Sequence, residues 1–144
     1  MLGREDILGL IPHRGGMCLL DHVLAWDDTS VLVSSGTHRS TTNPLRLNGR
    51  LRAILLCEYG AQAMAVHGGL LARAWGAPAA AGLLVSLRDV SLHVDYLDDL
   101  SRDIQVHARR LLADGASWQY TFRATHDSAL LAEGRAAVIS IGPP

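Results

Sequence analysis

The sequence predicts an α+β fold in which one largely antiparallel sheet wraps around a single long, buried helix. Three observations carry this expectation. The segment from Arg50 to about Trp75, "RLRAILLCEYGAQAMAVHGGLLARAW", is rich in alanine and leucine, with apolar residues on every face. That pattern describes a helix enclosed by other structure rather than one with a single buried stripe. Around it lie two β-rich runs before the helix and four after it, with no alternation of helix and strand, so a doubly wound parallel sheet is excluded. No linker, repeat or low-complexity stretch interrupts the chain, which reads as one domain over residues 1–144.

Each element follows in turn. "GREDILGLI" reads as a short amphipathic helix closed by Pro12. "MCLLDHVLAWD" and "TSVLVSSGTHR" form a hairpin about the polar turn Asp27-Asp28-Thr29. "STTNPLRLNGR" is irregular, because Asn43-Pro44 and Asn48-Gly49 are both breaker pairs. The long helix ends at Gly76 and Pro78, and its small residues Gly60, Ala61, Ala63 and Ala65 allow a sheet or a partner chain to approach closely. The remaining runs, "GLLVSLRDVSLHV", "DIQVHARRLLA", "SWQYTFRAT" and "LLAEGRAAVISI", read as strands separated by Asp98-Asp99, Asp114-Gly115 and His126-Asp127. In the third of these, Trp118, Tyr120 and Phe122 alternate onto one face.

Composition narrows the function. With 49% hydrophobic and 19% charged residues, the 144-residue chain is that of a folded domain with a real core. Net charge is −1 with no basic run, which argues against nucleic acid. No stretch reaches the ~18 apolar residues of a membrane helix, and "MLGREDILGLIPH" has no signal-peptide core. A cytoplasmic protein is expected. Cys18 and Cys57 match no metal or redox spacing and read as buried free thiols. The seven histidines are scattered singly, so no metal site and no cofactor is expected.

"AILLCEYGAQAM" poses the functional question, because Glu58 sets a carboxylate into an apolar helix with Gln62 one turn later. An ionised carboxylate is costly to bury unpaired, so such a group is neutralised, paired or used. Gln62, at i+4, shares its face and can hold it by a hydrogen bond. A purely structural pairing with Arg14 or Arg88 answers the same pattern.

Two motifs in order, spread over most of the chain, carry a resemblance. "IPHRGGMCLLDHVLAWDD" is similar to the opening of FabA/FabZ-type 3-hydroxyacyl-carrier-protein dehydratases, which have the hotdog fold: L-P-H-R, a few residues, then L-L-x-D-R-V. "CEYGAQAMA" is similar to their central-helix motif E-A-L-A-Q, with Glu58 and Gln62 on its glutamate and glutamine, and "LLVSLRDVSLHV" resembles the strand that follows. The nearest branch is the dehydratase-like group associated with aryl-polyene synthesis. The chain departs from the family where the catalytic histidine of a G-H-F-P turn is expected. The equivalent position is Pro44, and Leu51-Arg52-Ala53 stands where M-P-G opens the helix.

The resemblance implies elimination of water from a 3-hydroxyacyl thioester carried by acyl carrier protein or coenzyme A. Such a reaction needs a base at the α-carbon, an acid at the departing hydroxyl and donors for the enolate oxygen. Glu58 is the expected acid, positioned by Gln62, with helix N-terminal amides from Arg50 to Ala53 as the expected donors. His38 is the best-placed internal substitute for the missing base, whereas His13 and His67 read as structural. Alternatively, the base comes from a hotdog partner in a dimer whose pocket lies between chains. Leu45, Leu47, Ala53, Leu55 and Tyr59 are expected to line the acyl pocket. Arg88, Arg109, Arg110 and Arg123 are expected to dock an acidic carrier. A hotdog thioesterase using Glu58 to activate water, or a non-catalytic scaffold subunit, are the competing readings.

Overall fold

A computed structural model describes residues 1–11, 15–76, 82–114 and 117–140. The expectations placed on Pro12, His13, Arg14, Pro78 and Gly115 lie outside these described residues. The elements are α1 (Arg4–Leu8), β1 (His22–Trp26), β2 (Ser30–Ser35), α2 (Leu56–Ala74), β3 (Gly82–Leu92), β4 (Ile104–Asp114), β5 (Ser117–His126) and β6 (Ala129–Ser140). One six-stranded sheet runs in the order β1-β2-β4-β5-β6-β3, with every neighbouring pair antiparallel. The expected sheet around one helix is therefore present. The helix is shorter at its start than the sequence suggests. Ala53–Leu55 is a 3-10 turn, and Arg50 and Arg52 instead form isolated bridges with Leu47 and Tyr96.

Turn chemistry sets the hairpins. Asp27 Oδ1 accepts the backbone N–H groups of Thr29 and Ser30 at 2.9 and 2.8 Å and both hydroxyls at 3.2 Å. Those bonds, the backbone ones first, hold its carboxyl below the usual range. The β5–β6 turn places Asp127 and Ser128 at φ 49° and 67°, the left-handed pair that matches strand twist.

Cross-strand register sorts the sheet into two faces. Val31, Ala108, Phe122 and Gly134 are successive partners across β2, β4, β5 and β6, all buried against α2. The adjacent row, Ser30, Arg109, Thr121, Arg135 and Arg88, continues through β3 on the outer face. The ring of Phe122 fixes how closely helix and sheet approach. A Cβ on Gly60 or on Gly134 would lie 2.9 Å from it, so two glycines from different elements form the slot it occupies. Gly69 is similarly closed by the Leu10 carbonyl, 2.8 Å from where its Cβ would stand. His67 ties the far half of α2 to the sheet. Its Nε2–H donates to the Asp27 carbonyl at 2.9 Å, and its Nδ1 accepts the Tyr120 hydroxyl at 2.8 Å. Burial pushes the Tyr120 hydroxyl up to about 12 and the imidazole down.

The two sheet edges differ. Leu2 bridges Val23 of β1 through two backbone hydrogen bonds, of 3.1 and 2.9 Å. At the other edge no described strand pairs the far side of β3, and its inner-face residues Leu84, Leu87 and Leu92 remain 37%, 40% and 41% exposed. Among the described residues, no helix is long and apolar enough to cross a membrane.

Candidate active site

Gln62 is fully buried and satisfies three groups. Its Oε1 accepts the Leu19 N–H at 2.8 Å, while Nε2 donates to the Met17 carbonyl at 2.8 Å and to Glu58 Oε1 at 3.2 Å. The two backbone partners dictate the orientation of the amide, because an N–H requires the oxygen and a carbonyl requires the nitrogen. Gln62 thereby stitches the segment before β1 to α2 and holds one oxygen of Glu58. The expected Glu58–Gln62 pairing is present.

Glu58 itself is half-buried. It belongs to the line Ile54, Glu58, Ala61, Ala65, Gly68 and Ala72, spaced by four and three residues, along which α2 stays partly or wholly exposed. From Leu56 to Leu71 every helix residue off this line is buried. The structure excludes Arg88 as a structural counter-ion, since Arg88 projects from the outer face of the sheet and α2 covers the inner one.

His38 has its own partner. It sits in the 3-10 turn Thr37–Arg39, is fully buried, and donates from Nε2 to the Leu100 carbonyl at 2.9 Å. Burial lowers its pKa, and its buried Nδ1 has no hydrogen-bond partner among the described residues. The charged groups acting on it include Arg39 and Asp103, themselves paired at 2.7 Å.

The expected pocket residues divide. Tyr59 is fully buried, with burial raising its pKa, and acts as a polar strut. Its hydroxyl bonds Thr37 Oγ1 at 2.8 Å and accepts from Asn43 Nδ2 at 3.2 Å. Leu45 and Leu55 pack against the core. Leu47 is 65% exposed. Ala53 is buried, but its N–H donates to the Asp95 carbonyl at 2.9 Å, and the Leu51 N–H donates to Asp98 Oδ1 at 2.9 Å. The Arg50 N–H goes to Leu47. The expected oxyanion donors at Arg50, Leu51 and Ala53 are thus already engaged, because Asp98 and the 95–97 backbone pull this stretch into an extended pairing ahead of the helix. Arg50 is drawn the same way, with Nε 2.8 Å from Asp98 and its guanidinium over the Tyr96 ring at 3.9 Å.

The docking arginines also divide. Arg88 and Arg109 share the outer face with Arg135, which sequence reasoning missed. Its signal was strand register, not spacing. Arg110 is corrected: it lies on the opposite face from Arg109 and donates to the Asp28 carbonyl at 3.2 Å. Arg123 stands 4.0 Å from Glu133. A polar cavity of about 260 Å³ opens between Arg4, Cys18, Thr37, Thr42 and Pro44. It occupies the loop where the histidine turn was expected, and neither Glu58 nor Gln62 lines it. Both cysteines are free and buried. Among the described residues, no three metal-ligating side chains gather.

Known structures share this fold. The dehydratase heterocomplex ApeI:P from Xenorhabdus doucetiae superposes with a TM-score of 0.84 at 22% identity, over 96% of this chain and 91% of that one. A putative thioesterase from Shewanella oneidensis gives 0.65 at 14% identity, covering 96% and 93%. AziG from S. sahachiroi gives 0.61 at 12%, covering 88% and 94%. At these identities the likeness establishes the hotdog fold, which dehydratases and thioesterases share. No curated protein matches the sequence. The family model for ApeP-like proteins, described as ApeP dehydratase, matches residues 5–142, nearly the whole length, and the chain therefore belongs to the ApeP-like dehydratase family.

Proposed function

We propose that this chain is the acid-donating subunit of a dehydratase acting on 3-hydroxyacyl thioesters of acyl carrier protein, yielding trans-2-enoyl thioesters. The observation that carries the proposal is the position of Glu58, half-buried on the one line of α2 that its own sheet leaves uncovered. A carboxyl there acts on whatever is enclosed when a second chain covers the helix. In the reaction, a base removes the α-proton and its C–H electrons form the C=C bond. The β-carbon–oxygen bond breaks, and Glu58 supplies the proton that lets the hydroxyl leave as water. Gln62 keeps Glu58 aimed. The base is a histidine of a hotdog partner, because His38 is sealed from substrate and hydrogen-bonded to Leu100. Membership of a dehydratase family supports the reaction type, and the relative described as a dehydratase heterocomplex supports a two-chain site.

The test is mass-spectrometric detection of dehydration on 3-hydroxyacyl carrier protein. The chain alone should be silent, and the chain mixed with a histidine-bearing hotdog partner should turn over. Glu58→Gln in the mixture should cost at least about 100-fold, the usual weight of a general acid. Turnover by the chain alone would overturn the shared base, and release of free acid would make the protein a thioesterase.

A further inference from the structure

We infer that the open β3 edge is charge-selective: it disfavours a second copy of this chain and accepts a hotdog strand bearing carboxylates on its outer face. This inference rests on the partner reading above and names the chemistry of that partner. The inner face of β3 invites cover, since Leu84, Leu87 and Leu92 lie beside Val138, Ala136 and Ala132 yet remain more than one-third exposed. The outer face decides what covers it. There Arg88 is directly opposite Arg135 in the β3–β6 register, and like charges facing each other across a ladder destabilise it. Among the described residues, no carboxylate lies within ion-pair distance of either arginine. Glu133 stands 4.0 Å from Arg123, and Asp89 lies in the β3 bulge with φ 55°.

A two-fold, antiparallel self-pairing of the whole strand sets Arg88 opposite Ser86 of the partner subunit. The two Arg88 side chains become diagonal neighbours about 7–8 Å apart, each backed by its own Arg135. Four guanidiniums then share one patch, with the uncharged Ser86 and Ser91 as the flanking outer-row positions of β3 in register with β6. A strand with Glu or Asp at the facing positions converts that repulsion into cross-strand ion pairs. Nothing in the apolar inner face distinguishes the two cases, so the charge sets the choice.

The chain can serve as its own surrogate partner. Wild type, the double variant Arg88→Glu/Arg135→Glu, and their equimolar mixture are compared by sedimentation equilibrium at about 0.1 M and about 1 M salt, where the screening length falls from about 10 to about 3 Å. The mixture should associate at least about tenfold more tightly than either chain alone at the lower salt, and the gap should close at the higher one. Arg88→Gln/Arg135→Gln, which removes charge without reversing it, should strengthen self-association and serves if the reversed variant folds poorly. Leu87→Asp should abolish association in every arm. Wild-type self-association as tight as the mixture and insensitive to salt would overturn the charge selection. Absence of association in every arm would overturn the inference by removing the partner reading itself.

Discussion

Replacing Gln62 by leucine isolates what the buried amide contributes. Leucine has a similar volume, so the change removes hydrogen bonds without opening a large cavity. The Leu19 N–H, in a residue with no exposed surface, loses its acceptor. An orphaned buried group costs about 1–3 kcal/mol. The Met17 carbonyl, in a residue 41% exposed, partly recovers water, and the 3.2 Å bond to Glu58 contributes a few tenths. The expected loss is about 3 kcal/mol. At an unfolding entropy of about 2 cal/mol/K per residue, this lowers Tm by about 10 °C. Calorimetry at one fixed protein concentration measures it, since association also moves Tm. A fall of less than about 3 °C would refute the reasoning, because the Leu19 N–H would then have another acceptor. Gln62→Glu supplies a sharper control. Its carboxylate accepts from Leu19 but faces the Met17 carbonyl and Glu58, so it should be worse than leucine above neutrality. It should recover as pH falls through the raised pKa of the folded carboxyl, and the recovery should be complete below the ordinary value of about 4.3.

Gly60→Ala or Gly134→Ala forces a Cβ to 2.9 Å from Phe122, and each should lower stability by about 1–3 kcal/mol in urea titration. Gly60→Ala combined with Phe122→Leu should cost less than the sum of the single changes. Tyr59→Phe removes the hydroxyl shared by Thr37 and Asn43; a loss of about 1–2 kcal/mol and faster amide exchange across 37–43 are expected. His38 and His67 both have folded pKa values below their ordinary 6.5. Their contribution is therefore complete above about pH 6.5 and declines as pH falls from there toward the folded values, by up to about 1.4 kcal/mol per pH unit for each histidine. His67→Gln should flatten that slope in a pH series of urea midpoints.

Much of this architecture was legible because its signals are local. The alanine- and leucine-rich apolar run of residues 56–74, the turn acids at 27–28 and the alternation of Trp118, Tyr120 and Phe122 each name their own element. Glu58 and Gln62 were legible as a pair because i, i+4 spacing alone brings them together. What stayed hidden depends on pairing between distant segments. The capture of Arg50, Leu51 and Ala53 by Asp98 and the 95–97 backbone spans over 40 residues, so a stretch that reads as helix becomes extended. Arg110 misleads for a related reason. Adjacent strand positions face opposite ways, and only register reveals that Arg109 belongs with Arg135 and Arg88. The burial of His38 and its hydrogen bond to the Leu100 carbonyl depend on a turn 62 residues away, which no spacing discloses.

The two hydrogen bonds by which Leu2 closes the outer side of β1 have a consequence for stoichiometry. A sheet open at both edges can add strands without limit and grow toward a filament. Here Val23 already spends its outward N–H and carbonyl on the chain's own first residues, so extension is available in one direction only. Whatever joins at β3 completes the assembly if its own far edge is closed in the same way. Deleting Met1–Gly3 would reopen the second edge, and the expected result is a concentration-dependent ladder of higher species in sedimentation profiles in place of a finite complex.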